Sequence, residues 1–176
     1  GALAANTTGT PNTAVGSLTL TANTTGASNT AMGRQSMQAN TTGSHNVAVG
    51  RCSLKANTTA NSNVAIGTES LDVNTTGADN TAVGTNALGA NTTGASNTAM
   101  GSGALDSNTT GNYNTAQGVT SGGANTDGDG NTYIGHLAGS NITTGCYNTY
   151  VGAETSASSA TILFEHIFGR GGTGKG

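Results

Sequence analysis

The chain has 176 residues, only 7% of them charged, and a formal net charge of −3. Leu, Ile, Val and Phe account for just 24 residues, a content typical of disordered chains, but such chains usually combine low hydrophobicity with high net charge, which is missing here. The sequence has no basic tract and no apolar run of about 18 residues, so it gives no support for nucleic-acid binding or membrane insertion.

A short phrase recurs along the chain every 17 residues. Its Asn and the Gly four positions later form two unbroken columns, seen at Asn46 with Gly50 and at Asn63 with Gly67. Nine units with the consensus NTTGxxNTAVGxxALxA cover residues 6–158 after a partial repeat at 1–5. A third column, of turn glycines, is interrupted only at Ala60. Such a fixed period is typical of repeat architectures in which each unit packs only on its neighbours.

Each unit predicts a short β-strand on its NTAVG phrase. Side chains alternate along a strand, so Val47 shares a face with Val49, and Val64 shares a face with Ile66. These are the bulkier apolar residues of the phrase, and we expect this face to point inward. Helix is disfavoured because each unit carries two or three glycines and no apolar stripe of helical period.

A second apolar column follows each phrase and includes Leu54 and Leu71. We expect it to form a second short strand that faces the first across a thin core. Stacked units predict an all-β parallel solenoid with a 17-residue coil, coils about 4.8 Å apart, and Asn and Thr ladders along the axis. The Ala column between the two inward positions, as at Ala48, would then give a smooth outer face for a neighbouring chain.

The C-terminal repeats depart from the consensus. The Leu column ends at Leu105, and Tyr133 and Tyr150 occupy the Ala column, where we expect the two rings to stack on adjacent coils. If exposed, this pair is a candidate for gripping a sugar ring; if buried, it packs against a neighbouring chain or domain. Asp127 and Asp129 lie in one turn and offer oxygen ligands to a cation such as Ca²⁺, but the segment lacks the Gly and Glu of an EF-hand loop, and a plain polar turn is the favoured interpretation.

The chain ends in a segment that we interpret as leaving the solenoid. Residues 159–176 are assigned to a transition strand, SATILFEHIF, followed by a Gly-rich connector to a following domain. The connector, GRGGTGKG, is close to a phosphate-binding loop, but Gly176 stands where that motif needs a hydroxyl, so we do not assign a nucleotide site. No cofactor is indicated, and no Ser, His and Asp set suggests an enzyme.

The phrases NVAVG and NVAIG resemble the repeats of trimeric autotransporter adhesin heads, and the fuller unit NTTG…NTAVG…AL resembles repeats of bacteriophage tail fibres that end in an endosialidase-type chaperone. The resemblance covers residues 1–158 and implies a left-handed β-roll, a homotrimer, and a virion fibre that binds a host receptor or glycan without catalysis. A bacterial surface adhesin head is the alternative. An ice-binding solenoid is a minor alternative, since ice binding needs Thr ladders on a flat strand and the paired Thr7 and Thr8 lie in an Asn-Gly turn.

Overall fold

The computed structural model describes residues 1–171 and is all-β, with no helix in that range and hence none that is long and apolar enough to span a membrane. Ten strands of three residues each form one parallel sheet in chain order. Their bounds are β1 Thr13–Val15, β2 Thr30–Met32, β3 Val47–Val49, β4 Val64–Ile66, β5 Thr81–Val83, β6 Thr98–Met100, β7 Thr115–Gln117, β8 Thr132–Ile134, β9 Thr149–Val151 and β10 His166–Phe168.

Neighbouring strands pair at a constant offset, as Ala48 with Ala65 and Tyr133 with Tyr150. The predicted parallel β-solenoid with a 17-residue coil is therefore confirmed.

The predicted second strand of each coil is wrong, because the segment that carries the Leu column is a chain of turns. Leu54 and Leu71 have φ of 51° and 50°, in the left-handed region that strands do not enter. Their backbones still bond to the next coil, with Leu54 N donating to Ser70 O at 2.9 Å. A coil of 17 residues must turn back on itself, and left-handed residues supply that curvature.

The assignment of inward and outward strand faces is also wrong. Val47 and Val49 do share a face, as alternation requires, but Ala48 between them is the residue that is fully buried. Ile66 is 40% exposed, whereas Leu54 and Leu71 are completely buried. The inward strand position holds a methyl group because the Leu row fills the thin interior, so the Ala column lies inside each chain and cannot be the predicted interface.

Two columns of buried Asn confirm the predicted Asn ladders. In the first, each side-chain amide donates to the side-chain oxygen one coil earlier, as Asn57 Nδ2 does to Asn40 Oδ1 at 2.7 Å. In the second, the side-chain oxygen accepts from the backbone of the next coil, as Asn46 Oδ1 does from Asn63 N at 2.9 Å. Because buried polar groups cost free energy unless paired, these ladders let polar side chains line a small interior.

The core changes its composition in the C-terminal coils. Gly122 and Gly139 replace Leu, while Tyr133 and Tyr150 replace Ala on the strands. A Cβ at Gly122 would stand 2.5 Å from Tyr133 Cδ2, so the ring occupies the volume that Leu fills elsewhere. The loss of the Leu column after Leu105 is thus compensated by aromatic rings entering from the strand side.

The segment that we assigned to a transition strand does form one, but it does not leave the solenoid. In β10, His166 pairs with Thr149 at the same 17-residue offset as every earlier pair, and Ile167 is buried. The solenoid therefore extends beyond the boundary predicted at residue 158. The Gly-rich connector lies mostly outside the described residues, which end at Gly171.

Candidate interaction surfaces

The outward face of the sheet carries a row that is apolar except at Gln117, and we call it the outer row. Met32 and Met100 are 43% and 45% exposed, and Val15 reaches 55%. The row contains Val15, Met32, Val49, Ile66, Val83, Met100, Gln117, Ile134, Val151 and Phe168. Contiguous exposed apolar surface on this scale is typical of an interaction site rather than of a free surface.

The second row of the outward face is mainly polar. This strand position holds Thr in most coils, His166 in β10, and Val47 and Val64 in two coils. These two coils therefore have the most apolar outer surface. No strand residue is Asp, Glu, Lys or Arg, so none of the ten strands brings an unpaired carboxylate or ammonium to this face.

Two arginines flank the sheet at the same repeat position. Arg51 Nη2 contacts Glu69 Oε1 at 2.5 Å, whereas Arg34, one coil earlier, is exposed and makes no ion pair within residues 1–171. A hydrogen bond and the charge of Glu69 raise the pKa of Arg51. This exposed pair contributes little to stability.

Tyr133 and Tyr150 stack as predicted, with ring centroids 5.9 Å apart and planes 9° from parallel. Both are fully buried in the core of their own chain, so neither presents a ring face to a sugar or packs on a neighbouring chain. Burial raises the pKa of both hydroxyls, and for Tyr150 the hydrogen bond to Glu165 Oε2 at 2.5 Å adds to the shift. The geometry identifies this pair as core packing.

A different set of aromatic side chains is exposed. Tyr113, Tyr147 and Phe164, which we call the aromatic strip, are 71%, 56% and 67% exposed. The rings of Tyr147 and Phe164 stack at 5.5 Å with planes 9° apart. The sequence pattern favoured the other aromatic column, Tyr133 and Tyr150. The signal that finds the strip is its shared repeat position, two residues before the strand of each coil.

The two aspartates proposed as cation ligands have separate partners. Asp127 Oδ1 accepts from the Thr126 hydroxyl at 2.8 Å, and Asp129 Oδ1 accepts from Asn112 N at 2.6 Å. No group of three or more His, Cys, Asp or Glu side chains suited to a metal ion exists within residues 1–171. The turn geometry thus gives each carboxylate a hydrogen-bonding role.

Comparison with protein-family models, with curated proteins and with solved structures finds no match to this chain. Its surfaces therefore have to be interpreted from their own chemistry.

Proposed function

We propose that this chain is a segment of a homotrimeric viral attachment fibre, of the bacteriophage tail-fibre kind, which binds a host surface without catalysis. The observation that carries the proposal is the outer row, a line of ten strand positions of which nine are apolar. Six of the nine are exposed, and Val49, Val83 and Val151 are half-buried. A single chain gains nothing from exposing this row, whereas a second and third copy would bury it.

The repeat makes the chain well suited to associate with copies of itself. Every coil presents the outer row at the same position, about 4.8 Å from the next, so copies with parallel axes match along their whole length. Burial removes apolar area from water at about 25 cal/mol per Å², which supplements a core of one Ala and one Leu per typical coil. The number of copies, three, follows the resemblance of the repeat to fibre and adhesin repeats.

Association in this way also fits an attachment role. Packing the sheets against one another leaves the turns of each coil on the outside, where loops commonly carry binding residues. A stiff rod with hydrogen-bonded coils and an exposed turn surface presents ligand-binding residues at fixed intervals. A bacterial trimeric adhesin head would use the same architecture, and the target that the purified chain binds, a bacterial cell or a tissue matrix protein, separates the two.

The first test is the mass of the purified chain by light scattering. We expect three times the chain mass of 17.0 kDa for the wild type, and monomers for a variant carrying Val49→Glu and Ile66→Glu. The matched control carries Thr25→Glu and Thr76→Glu, which add the same charge at exposed positions away from the strands and should leave the trimer intact. A folded wild-type monomer would refute the proposal.

A further inference from the structure

The aromatic strip has features that the fold does not require. Tyr113, Gly130, Tyr147 and Phe164 occupy one repeat position, so they follow one another coil by coil along one edge of the solenoid. In earlier coils this position holds small or polar residues such as Ser28. The three rings remain largely in water and contribute little to the core of this chain.

The backbone at these positions is left-handed, a conformation that does not favour aromatic residues. Tyr113, Tyr147 and Phe164 have φ of 57°, 60° and 59°, and a bulky side chain in this left-handed region is unusual. Glycine meets the same demand without steric cost, as Gly130 does in the coil between two of them. Strained, exposed aromatics that fill no core position are typical of a binding surface.

The arrangement of the rings is suited to a chain-like ligand. Tyr113 and Tyr147 lie two coils apart, about 9.6 Å along the axis at the usual strand spacing. The Tyr147 ring leans over Gly130, whose Cβ, if present, would stand 2.7 Å from Tyr147 Cδ1. An aromatic ring offers a flat apolar surface to the C–H face of a pyranose. Tyr147 stacks on Phe164 and covers Gly130, so it supports the strip, and the more exposed rings of Tyr113 and Phe164 are the ones that can engage successive sugars of one glycan.

Polar groups for sugar hydroxyls lie beside the rings. Asp129 is half-buried in the turn between Tyr113 and Tyr147, and its Oδ1 accepts from both Asn112 N and Asn112 Nδ2, at 2.6 and 3.2 Å. Its Oδ2 has no hydrogen-bond partner within residues 1–171 and is open to a hydroxyl donor. Aromatic faces with an adjacent fixed carboxylate are the combination that a sugar, with its apolar and hydroxyl-bearing sides, requires.

Charge identifies the class of glycan. Between Lys55 and Arg170 the chain has no Lys or Arg, whereas Asp127, Asp129 and Glu165 all lie in the coils of the strip. An anionic polysaccharide would meet only carboxylates there, with no cation to pair with its own charges. We infer that the aromatic strip binds a neutral glycan chain, an inference that rests on the proposed attachment function for its biological meaning.

The test measures binding of the full chain to immobilised neutral glycans, namely chito-oligosaccharide, malto-oligosaccharide and mannan, with heparin and polysialic acid as anionic probes. We expect binding to at least one neutral glycan and to neither anionic one. Tyr147→Ser with Phe164→Ser should weaken that binding about tenfold or more. The matched control, Val73→Ser, removes an exposed apolar side chain elsewhere and should bind like the wild type.

A second variant tests the geometry without removing a ring. Gly130→Ala places a Cβ against the Tyr147 ring and should weaken glycan binding while circular dichroism stays unchanged. The inference is overturned if the wild type binds no neutral glycan, if it prefers an anionic one, or if the double variant binds as well as the wild type. Light scattering on the same samples separates the two proposals. A trimer that binds no glycan rejects only the glycan-binding role of the strip, and a monomer that binds glycan rejects only the trimeric fibre. A double variant that no longer forms trimers identifies the strip as a contact between copies and overturns the glycan inference.

Discussion

The core is built mainly from Leu and Ala in the coils up to Leu105 and from Gly and Tyr in the later coils. Replacing two residues should move the boundary between these two parts by one coil. The variant combines Gly122→Leu with Tyr133→Ala, which gives this coil the Leu and Ala found in the preceding coils. Gly122 already has φ of 59°, and Leu105 takes φ of 51° at the same repeat position, so the backbone accepts the new side chain. Tyr150 then becomes the first aromatic ring of the core, with Gly139 ahead of it.

The structure sets the expected magnitudes. Tyr133→Ala alone empties a fully buried site and should cost about 3–5 kcal/mol of unfolding free energy. Gly122→Leu alone forces a side chain into the Tyr133 ring, 2.5 Å from the new Cβ, and should cost about 1–3 kcal/mol or more. At Gly122 the two changes relieve each other, but the Tyr133 ring also lies against the Cβ position of Gly139, which the double variant leaves unfilled. We therefore expect the double variant to lose clearly less than the additive sum of the two single changes.

Urea unfolding followed by far-ultraviolet circular dichroism measures these differences, with hydrogen exchange locating the affected coils because long repeat arrays can unfold in parts. Tyr133→Ala combined with Leu88→Ala, which removes a buried side chain between two and three coils away, serves as the additive control. If the Gly122 and Tyr133 changes are additive, the ring does not occupy the volume of the missing Leu and the reasoning is refuted.

Three further outcomes follow from the ladders and the surface. Ala60→Gly should raise the unfolding free energy by about 0.5–2 kcal/mol. The ladder bond beside it, from Asn74 Nδ2 to Asn57 Oδ1, is stretched to 3.4 Å and should shorten when the Ala60 Cβ is removed. The midpoint of urea unfolding measures the difference. Asn80→Ala should cost about 1–3 kcal/mol, since Asn80 Oδ1 accepts from Asn97 N at 3.0 Å and this buried backbone donor would be left unpaired. Asn97 Nδ2 would lose its 3.1 Å bond to Asn80 Oδ1 but keep its bond to Gly111 O at 2.8 Å. Burial raises the pKa of Asp72, so this residue should make the folded chain more stable as the pH falls from neutral through that raised pKa towards 3.8, and thermal melts should show Asp72→Asn losing part of the gain.

The ladder variant and the glycine variant each have a matched control. For the ladder variant, Asn86→Gly alters an exposed Asn that already has φ of 58° and should be close to neutral. For the glycine variant, Gly94→Ala imposes on a regular coil the same Cβ that Ala60 carries and should destabilise it. An unchanged pH profile in Asp72→Asn, or a destabilised Ala60→Gly, would contradict the corresponding explanation.

The repeat made the fold class predictable but not the direction in which each side chain points. A period of 17 with apolar columns is enough for a parallel solenoid. Alternation places Val47 and Val49 together without saying which side is inside, and ranking residues by hydrophobicity then chose the wrong face. The deciding quantity is volume, because a turn segment that carries Leu54 leaves room for only a methyl group opposite it. For the same reason, considering each repeat column separately could not predict that the Tyr133 ring fills the volume of the missing Leu.

The first Asn ladder also gives the rod an electrical direction. From Asn23 to Asn125, every side-chain amide donates toward the N-terminal end, so the amide dipoles are parallel and polarise one another along the axis. Ile142 occupies the next position and ends the series, and the Tyr133 hydroxyl lies 3.5 Å from the last free acceptor, Asn125 Oδ1. The two ends of the solenoid are thus chemically different even where the coils look alike, and stacking coils head to head would oppose these dipoles.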